Sequence, residues 1–211
     1  MVRTSIAAFT ALAFVGAPAS AVTVLGSLTG GTAMADGGVL LINPAPPAVI
    51  GSGLFGDSNV RVFDEVKTFL PEDVVVQGPV TIPTGTFIES HLVVFDPGPW
   101  RTVTGTLEFD GFVVGIVGRT TPTWVYVDTI NSTTPFLGSP GLTYGFLEGI
   151  EGADFITISG KKITFSLSSG GTSDAFRVLT VIPEPMTWAM LIVGFGLVGV
   201  ASRRRSGTRT A

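Results

Sequence analysis

The sequence has 211 residues, no cysteine, and a formal net charge of −4 from 12 basic and 16 acidic residues. Residues 22–182 are more acidic, because seven basic and fifteen acidic residues give this segment a net charge of −8. Such a balance excludes a basic surface for nucleic acid, and the lack of cysteine excludes disulfides and thiolate metal sites.

The N-terminal residues 1–21 have the composition of a secretory signal peptide. Arg3 supplies a positive n-region, and residues 6–16 form an apolar h-region. Ala19 and Ala21 give the small-residue pattern of a cleavage site. We therefore predict export through the Sec machinery and a mature chain that begins near residue 22.

The segment 22–182 is predicted to form one β-rich extracytoplasmic domain, with a loop-rich start over 22–59. Short apolar runs separated by Gly, Pro and Asp turns are typical of strands, and residues 102–109 alternate clearly between apolar and polar side chains. About ten such strands predict a mainly β fold, a two-sheet sandwich or jelly roll. The predicted strands are 22–28, 60–64, 74–76, 86–88, 92–95, 102–109, 112–117, 124–130, 155–158, 163–167 and 176–181.

Residues 51–56 read GSGLFG and match the GxGxxG pattern of dinucleotide-binding loops. That pattern binds pyrophosphate only where a helix opens at its third glycine. The residues that follow, 57–64, have turn and strand character instead. We therefore interpret the segment as a flexible loop, and we expect no cofactor.

His91 is the only histidine, which excludes a site with several histidine ligands. Ser90 is adjacent and Asp96 is near, as in a hydrolase triad. Neighbouring strand residues point to opposite faces, so Ser90 and His91 are poorly placed to share a proton. The alternative is an ordinary strand histidine near a sheet edge.

Four aromatic residues suggest a platform on which sugar rings stack, as in carbohydrate-binding modules. Trp100, Trp124 and Tyr126 are the candidate binding residues, and Tyr144 is a further aromatic in this part of the chain. The alternative is that these rings fill the core between two sheets.

Glu108 and Asp110 are two residues apart and are the best candidates for an acid pair in an exported hydrolase. The same oxygens suit calcium, although the sequence has no DxDxDG loop. The plainer interpretation is that these acids are solvated. We expect no catalytic residues, no metal-binding residues and no enzyme activity.

The C-terminal sequence from Val181 reads VIPEPMTWAMLIVGFGLVGVASRRR. Residues 188–201 carry no charge and would span about 21 Å as a helix, against a hydrocarbon core of about 30 Å. Residues 203–205 are a basic stop, and 206–211 are a polar tail. We predict one thin or tilted transmembrane helix with its arginines in the cytoplasm.

This C-terminal sequence resembles the PEP-CTERM sorting signal in its PEPxxWA form, over residues 183–205. The residues that carry the resemblance are Pro183, Glu184, Pro185, Trp188, Arg203, Arg204 and Arg205. The resemblance implies a protein of Gram-negative bacteria that make exopolysaccharide. It also implies transient anchoring in the inner membrane and processing by an exosortase.

The two chain ends together predict an exported protein of the cell surface or extracellular matrix. We expect a structural or adhesive role in an exopolysaccharide or biofilm setting, with exosortase as partner and no nucleic acid. A carbohydrate-binding module is the first alternative, and an exported hydrolase is the second.

Overall fold

The computed structural model describes residues 24–76, 80–118, 135–139, 143–144, 149–150, 154–181 and 195. This part of the chain is mainly β, as the sequence predicts. Its strands are β1 (Leu25–Gly30), β2 (Leu40–Ile42), β3 (Val49–Ile50), β4 (Val60–Phe69), β5 (Val74–Val76), β6 (Val80–Ile82), β7 (Phe87–Phe95), β8 (Arg101–Glu108), β9 (Phe112–Val117), β10 (Thr143–Tyr144), β11 (Phe155–Ser159), β12 (Lys162–Ser169) and β13 (Asp174–Val181). Its helices are α1 (Thr32–Ala35) and a 3-10 helix (Pro135–Leu137).

A four-stranded sheet has the order β1-β8-β12-β11, and each neighbouring pair is antiparallel. Strand β8 alternates as predicted, since Val103, Gly105 and Leu107 are buried and the threonines between them are partly exposed. One face of this sheet therefore packs on the core, and the other faces solvent.

A five-stranded sheet has the order β2-β4-β7-β13-β9. Strand β2 runs parallel to β4, and the remaining pairs are antiparallel. The central strands β7 and β13 are buried along nearly their whole length, with eight of nine and seven of eight residues buried. Continuous burial of this kind means that both faces of the sheet are covered.

The two large sheets pack face to face around a shared apolar core. Val103, Leu107 and Phe165 enter it from the four-stranded sheet, and Phe95 and Phe176 enter it from the five-stranded sheet. The rings of Phe165 and Phe176 lie 6.3 Å apart between centroids. Burial of each such phenylalanine stabilises the fold by about 1.5–3 kcal/mol.

A second apolar cluster covers the opposite face of the five-stranded sheet. Phe63, Leu92 and Leu179 belong to the sheet side of this cluster. The covering side chains come from β3, β5, β6 and the 3-10 helix: Ile50, Val74, Val76, Ile82 and Leu137. The small sheets, parallel β3 with β10 and antiparallel β5 with β6, thus close this face.

The predicted strands 86–88 and 92–95 are in fact one strand, β7. Glu89, Ser90 and His91 interrupt the apolar pattern, but each is buried and has a polar partner. The placement of His91 near a sheet edge is also wrong, because β7 lies between β4 and β13. Because these polar side chains pair with other polar groups inside the protein, they can occupy a buried strand, and the apolar pattern of the sequence does not reveal that the strand continues through them.

Three predicted elements fall outside the described residues: the signal peptide 1–21, the strand 124–130 and nearly all of the helix 188–201. Phe195 alone represents that helix, and it is helical and exposed. Within the described ranges, no helix is both long enough and apolar enough to cross a membrane.

Candidate functional site

The predicted sorting segment follows directly on the last strand. Strand β13 ends at Val181, which pairs with Phe112 of β9. The predicted sorting and cleavage residues lie outside the described part: Ala19, Ala21, Pro183, Glu184, Pro185, Trp188, Arg203, Arg204 and Arg205. One residue, Ile182, therefore separates the folded domain from the first proline of the segment.

Trp100 is exposed, with 66% of its surface accessible to solvent. It precedes β8 and continues the solvent-facing positions of that strand. Because Arg101 pairs with Ser169, the register places Trp100 opposite Gly170. A Cβ atom at Gly170 would lie 2.8 Å from Trp100 Cε3, so the indole lies against the glycine backbone. The alternative in which Trp100 fills the core is therefore wrong.

Serine and threonine side chains occupy the solvent-facing side of the four-stranded sheet. We call this set the hydroxyl face: Ser27, Thr29, Thr102, Thr104, Thr106, Thr157, Ser159, Thr164, Ser166 and Ser168. The strand register aligns these residues in rows, one of which is Ser27, Thr106, Thr164 and Thr157. Neighbouring strands lie about 4.8 Å apart, so the hydroxyls form a closely spaced array.

The ends of the hydroxyl face differ in character. At one end Trp100 lies over Gly170, and at the other Glu108 pairs in register with Lys162. Phe155 on the edge strand β11 shares this side of the sheet and is also exposed, which the sequence reasoning missed. The face thus has an aromatic end and a charged end, separated by uncharged rows.

Of the other aromatic candidates, only Tyr144 lies in the described part of the chain. Trp124 and Tyr126 lie outside the described residues. Tyr144 is half-buried in β10, and its hydroxyl donates a hydrogen bond to Glu65 Oε1 at 2.7 Å. It belongs to the covered side of the five-stranded sheet.

Two polar clusters lie beside a β-bulge in strand β4. Asp64 pairs with His91 and Lys67 pairs with Glu89, so two residues of β4 stand opposite Ser90 alone. A bulge of this kind bends the strand and re-aims its side chains. Asp64 and Glu65 are consecutive strand residues beside this bulge, and their side chains point to opposite faces of the sheet.

On the side that faces the shared core, Asp64 Oδ1 lies 2.7 Å from His91 Nδ1. Glu89 is buried, forms an ion pair with Lys67, and lies 4.0 Å from His91 Nε2. Burial alone would raise the pKa of Asp64. The hydrogen bond and charge of His91, a hydrogen bond from Asn43 and the charge of Lys67 outweigh burial and lower it.

On the opposite side, Glu65 and Arg177 form an ion pair whose side chains are fully buried. Arg177 donates from Nε to Glu65 Oε2 at 2.7 Å and from Nη2 to Oε1 at 2.9 Å. Ser90 and Tyr144 donate to the same carboxylate. Burial, together with the charge of Glu65 and its hydrogen bond, raises the pKa of Tyr144 to about 12.

This arrangement ties the outer elements to the sheet. Ser139 donates its backbone N–H to the Tyr144 hydroxyl, and its own hydroxyl donates to the backbone oxygen of Glu65 at 3.1 Å. The Arg177 guanidinium also lies 5.2 Å from the centroid of the Tyr144 ring. The cluster is thus a bidentate, charge-assisted anchor between β13, β4 and the segment 135–144.

The bulge borders a small cavity of about 130 Å³, lined by Asp64, Glu65, Val66, Lys67, Glu89, Ser90 and His91. Ser90 donates to Glu65 at 2.7 Å, whereas His91 bonds Asp64 on the other side of the sheet. The prediction that Ser90 and His91 do not share a proton is confirmed. Asp96 is also engaged elsewhere, because it accepts hydrogen bonds from the loop at residues 51–56.

The GxGxxG segment holds the protein's own carboxylate. Gly53 and Phe55 donate backbone N–H groups to Asp96 at 3.0 and 2.8 Å, and Asp96 is buried. Phe55 also packs under the Arg61 guanidinium, 3.9 Å from its ring centroid. Two of the loop N–H groups that could bind a phosphate are therefore already occupied.

Glu108 and Asp110, the candidate acid pair, are both exposed at the end of β8 and in the turn that follows it. Phe109 between them is buried in the shared core. Across the described ranges, no group of three or more His, Cys, Asp or Glu side chains is arranged to hold a metal ion.

Comparison with known proteins finds the PEP-CTERM protein-sorting motif at residues 181–205. The motif indicates export to the cell envelope or surface and implies an exosortase as processing partner. The chain matches no curated protein and no solved structure. The resemblance of the C-terminal sequence is confirmed, and the matched motif starts at Val181, the last residue of β13.

Proposed function

We propose that this chain is an exported protein of the cell surface or extracellular matrix, with a β-sandwich domain that serves a structural or adhesive role. The sorting motif at residues 181–205 carries the proposal. A signal peptide at residues 1–21, a membrane helix at 188–201 and transient inner-membrane anchoring complete it. The setting is an exopolysaccharide or biofilm matrix.

The direct connection between β13 and the motif supports this function. Strand β13 is an interior strand, and Val181 is both its last residue and the first residue of the motif. From Val181 to Trp188 the chain spans at most about 25 Å even when fully extended. The domain would therefore lie close to the membrane until the tail is cut.

A non-catalytic role is supported by how the buried polar groups are used. Glu65 binds Arg177, Asp64 binds His91, and Asp96 binds the loop at residues 51–56. Each pair joins elements of the fold, which is the behaviour of structural polar networks. We therefore propose that the domain is not an enzyme and uses no cofactor.

The exposed Trp100 favours carbohydrate binding as a second function. Its indole is accessible, and soluble domains usually bury tryptophan for most of its area. Broad aromatic faces that combine apolar area with rigid geometry are common in binding sites. This function is compatible with the first, since a matrix adhesin requires a ligand.

The test is the intact mass and cell fraction of the protein in its native host, with and without the exosortase gene. We expect loss of the residues after about Pro185, and release to the surface or medium, only when exosortase is present. A variant with Glu184→Ala and Pro185→Ala should retain the full mass. Exposed Glu72→Ala, which lies outside the motif, is the matched control. A full-length product in the inner membrane of both strains would contradict the proposal.

A further inference from the structure

We propose that the hydroxyl face, with Trp100 at its end, binds a neutral polysaccharide chain. This inference rests on the proposed surface function, because it names the ligand class that such a matrix protein would contact. Three features of the face support it: its exposure, the fixed position of the indole, and the absence of charge along the described rows.

The hydroxyl face is exposed to solvent. The outer face of the five-stranded sheet is covered by Ile50, Val74 and Leu137 from smaller elements. The hydroxyl face is not buried in the same way, since Ser27, Thr157 and Thr164 are exposed and Thr104 and Thr106 are partly exposed. A polar face of this extent is open to a ligand.

The indole of Trp100 is held in a fixed position. A Cβ atom at Gly170 would come within 2.8 Å of the indole, so the absence of a side chain there lets the ring lie against the backbone. An anchored ring loses little conformational entropy when a ligand binds. The ring remains 66% exposed, which leaves apolar surface for the C–H groups of a sugar.

The absence of charge on the face restricts the class of polymer that fits it. Between Trp100 and the pair of Glu108 and Lys162, the solvent-facing positions of β8 and β12 carry only hydroxyls. Hydroxyls both donate and accept hydrogen bonds, as sugar hydroxyls do. A polyanion would find no basic residue along these rows and would be repelled by a chain of net charge −4. The complementary polymer is therefore uncharged.

The size of the face suits a polymer. Strand β8 has eight residues, which extend about 27 Å at ~3.4 Å per residue. Phe155 adds a second exposed ring on the same side, at the β11 edge. A chain that lies along or across the strands would contact one ring and several hydroxyl rows together.

The experiment is affinity electrophoresis of the full-length chain in nonionic detergent, in gels that contain hydroxyethyl cellulose, dextran or alginate. We expect at least one neutral polymer to retard the protein and alginate not to. Trp100→Ala should weaken that binding by about tenfold or more, as loss of an aromatic anchor does. Trp100→Phe should restore part of it, which separates ring loss from misfolding.

Two further variants locate the site. The double variant Thr106→Val and Thr164→Val removes adjacent hydroxyls at nearly constant volume and should weaken binding by about threefold. Phe112→Ala removes an exposed ring of the other sheet and should leave binding unchanged. Equal effects of Phe112→Ala and Trp100→Ala would overturn the assignment to this face.

Other results would overturn the inference as well. Absence of retardation by both neutral polymers would do so, as would binding to alginate that Trp100→Ala does not change. Light scattering that shows Trp100→Ala dissociating an oligomer would assign the face to a second copy of the chain. Exosortase processing, measured in parallel, separates the two proposals: a processed protein that binds neither neutral polymer refutes only this inference, and a polymer-binding protein that is never processed refutes only the proposed function.

Discussion

The two large sheets share one core but differ in their outer faces. The four-stranded sheet presents rows of serine and threonine to solvent. The five-stranded sheet is buried on both sides, and its outer face holds the ion pair of Glu65 and Arg177 beneath β10 and the 3-10 helix. A single bulge in β4 supplies the carboxylates for both sides of that sheet.

The two sheets depend differently on their polar residues. Hydroxyls on the open face can exchange hydrogen bonds with water, so each contributes little to the free energy of unfolding. Arg177 and Glu65 cannot exchange their hydrogen bonds for hydrogen bonds to water, because their side chains are fully buried. Substitutions of polar residues in the covered sheet should therefore lower the free energy of unfolding most. Those on the open face should cost little stability, so that face can vary to suit binding.

The largest effect is expected from Arg177→Ala. Removal of the guanidinium leaves the Glu65 carboxylate buried without its bidentate partner, and a broken buried pair costs about 3–5 kcal/mol. Equilibrium urea unfolding of the full-length chain measures the loss. Domain stability that falls by less than about 1 kcal/mol would contradict the proposed asymmetry between the sheets.

The control is the double variant Glu65→Leu with Arg177→Met. Because both charges are removed together, it should lose less stability than Arg177→Ala alone. If the double variant is as unstable as the single one, the loss comes from packing or from the other bonds of the cluster rather than from an unpaired charge.

A second, smaller effect compares two adjacent residues of β8. Gly105 faces the shared core, and a Cβ there would approach Phe165 Cζ to 2.5 Å. Gly105→Ala should therefore cost about 1–3 kcal/mol by overpacking. Thr104→Ala on the hydroxyl face should change the free energy of unfolding by about 0.5 kcal/mol or less. Similar losses in both variants would show that the outer side of β8 is not open.

The open sheet was predictable from sequence, and the reason is its alternation. Val103, Gly105 and Leu107 alternate with threonines, and that period of two predicts one buried and one solvent-facing side. The sorting motif could also be recognised from the sequence, because its three parts, the proline motif, the apolar stretch and the arginines, differ sharply in composition. Trp100 was identified as a candidate, but its exposure required the structure.

The covered sheet was not predictable in the same way. In β7 the polar residues Glu89, Ser90 and His91 break the apolar run, and their partners lie far away in sequence. The ion pair of Glu65 and Arg177 joins residues 112 positions apart. One-residue shifts such as the β4 bulge leave no periodic signal. Charged residues inside predicted strands, such as Arg177 within 176–181, were a hint of buried ion pairs.

The smallest expected effect concerns pH, and it tests whether Tyr144 joins the covered cluster. Folding raises the pKa of Tyr144 from 10.0 to about 12, so folding favours the neutral phenol. The stabilisation of the folded state by the neutral Tyr144 hydroxyl is fully present below pH 10.0. It is lost as the pH rises through about 12, because the phenol of the unfolded chain loses its proton at a lower pH than that of the folded chain. The free energy of unfolding should thus fall across this window, and less steeply in Tyr144→Phe.

Ultraviolet titration gives the direct measurement, and the sequence makes it clean because only two tyrosines are present. Tyr126→Phe leaves Tyr144 as the single titrating phenol, which should ionise near the upper limit of the window. Ionisation at pH 10.0 would mean that the hydroxyl is not held by Glu65. The covering elements would then rest on apolar contacts alone, and the contrast between the two outer faces would be one of burial rather than of buried charge.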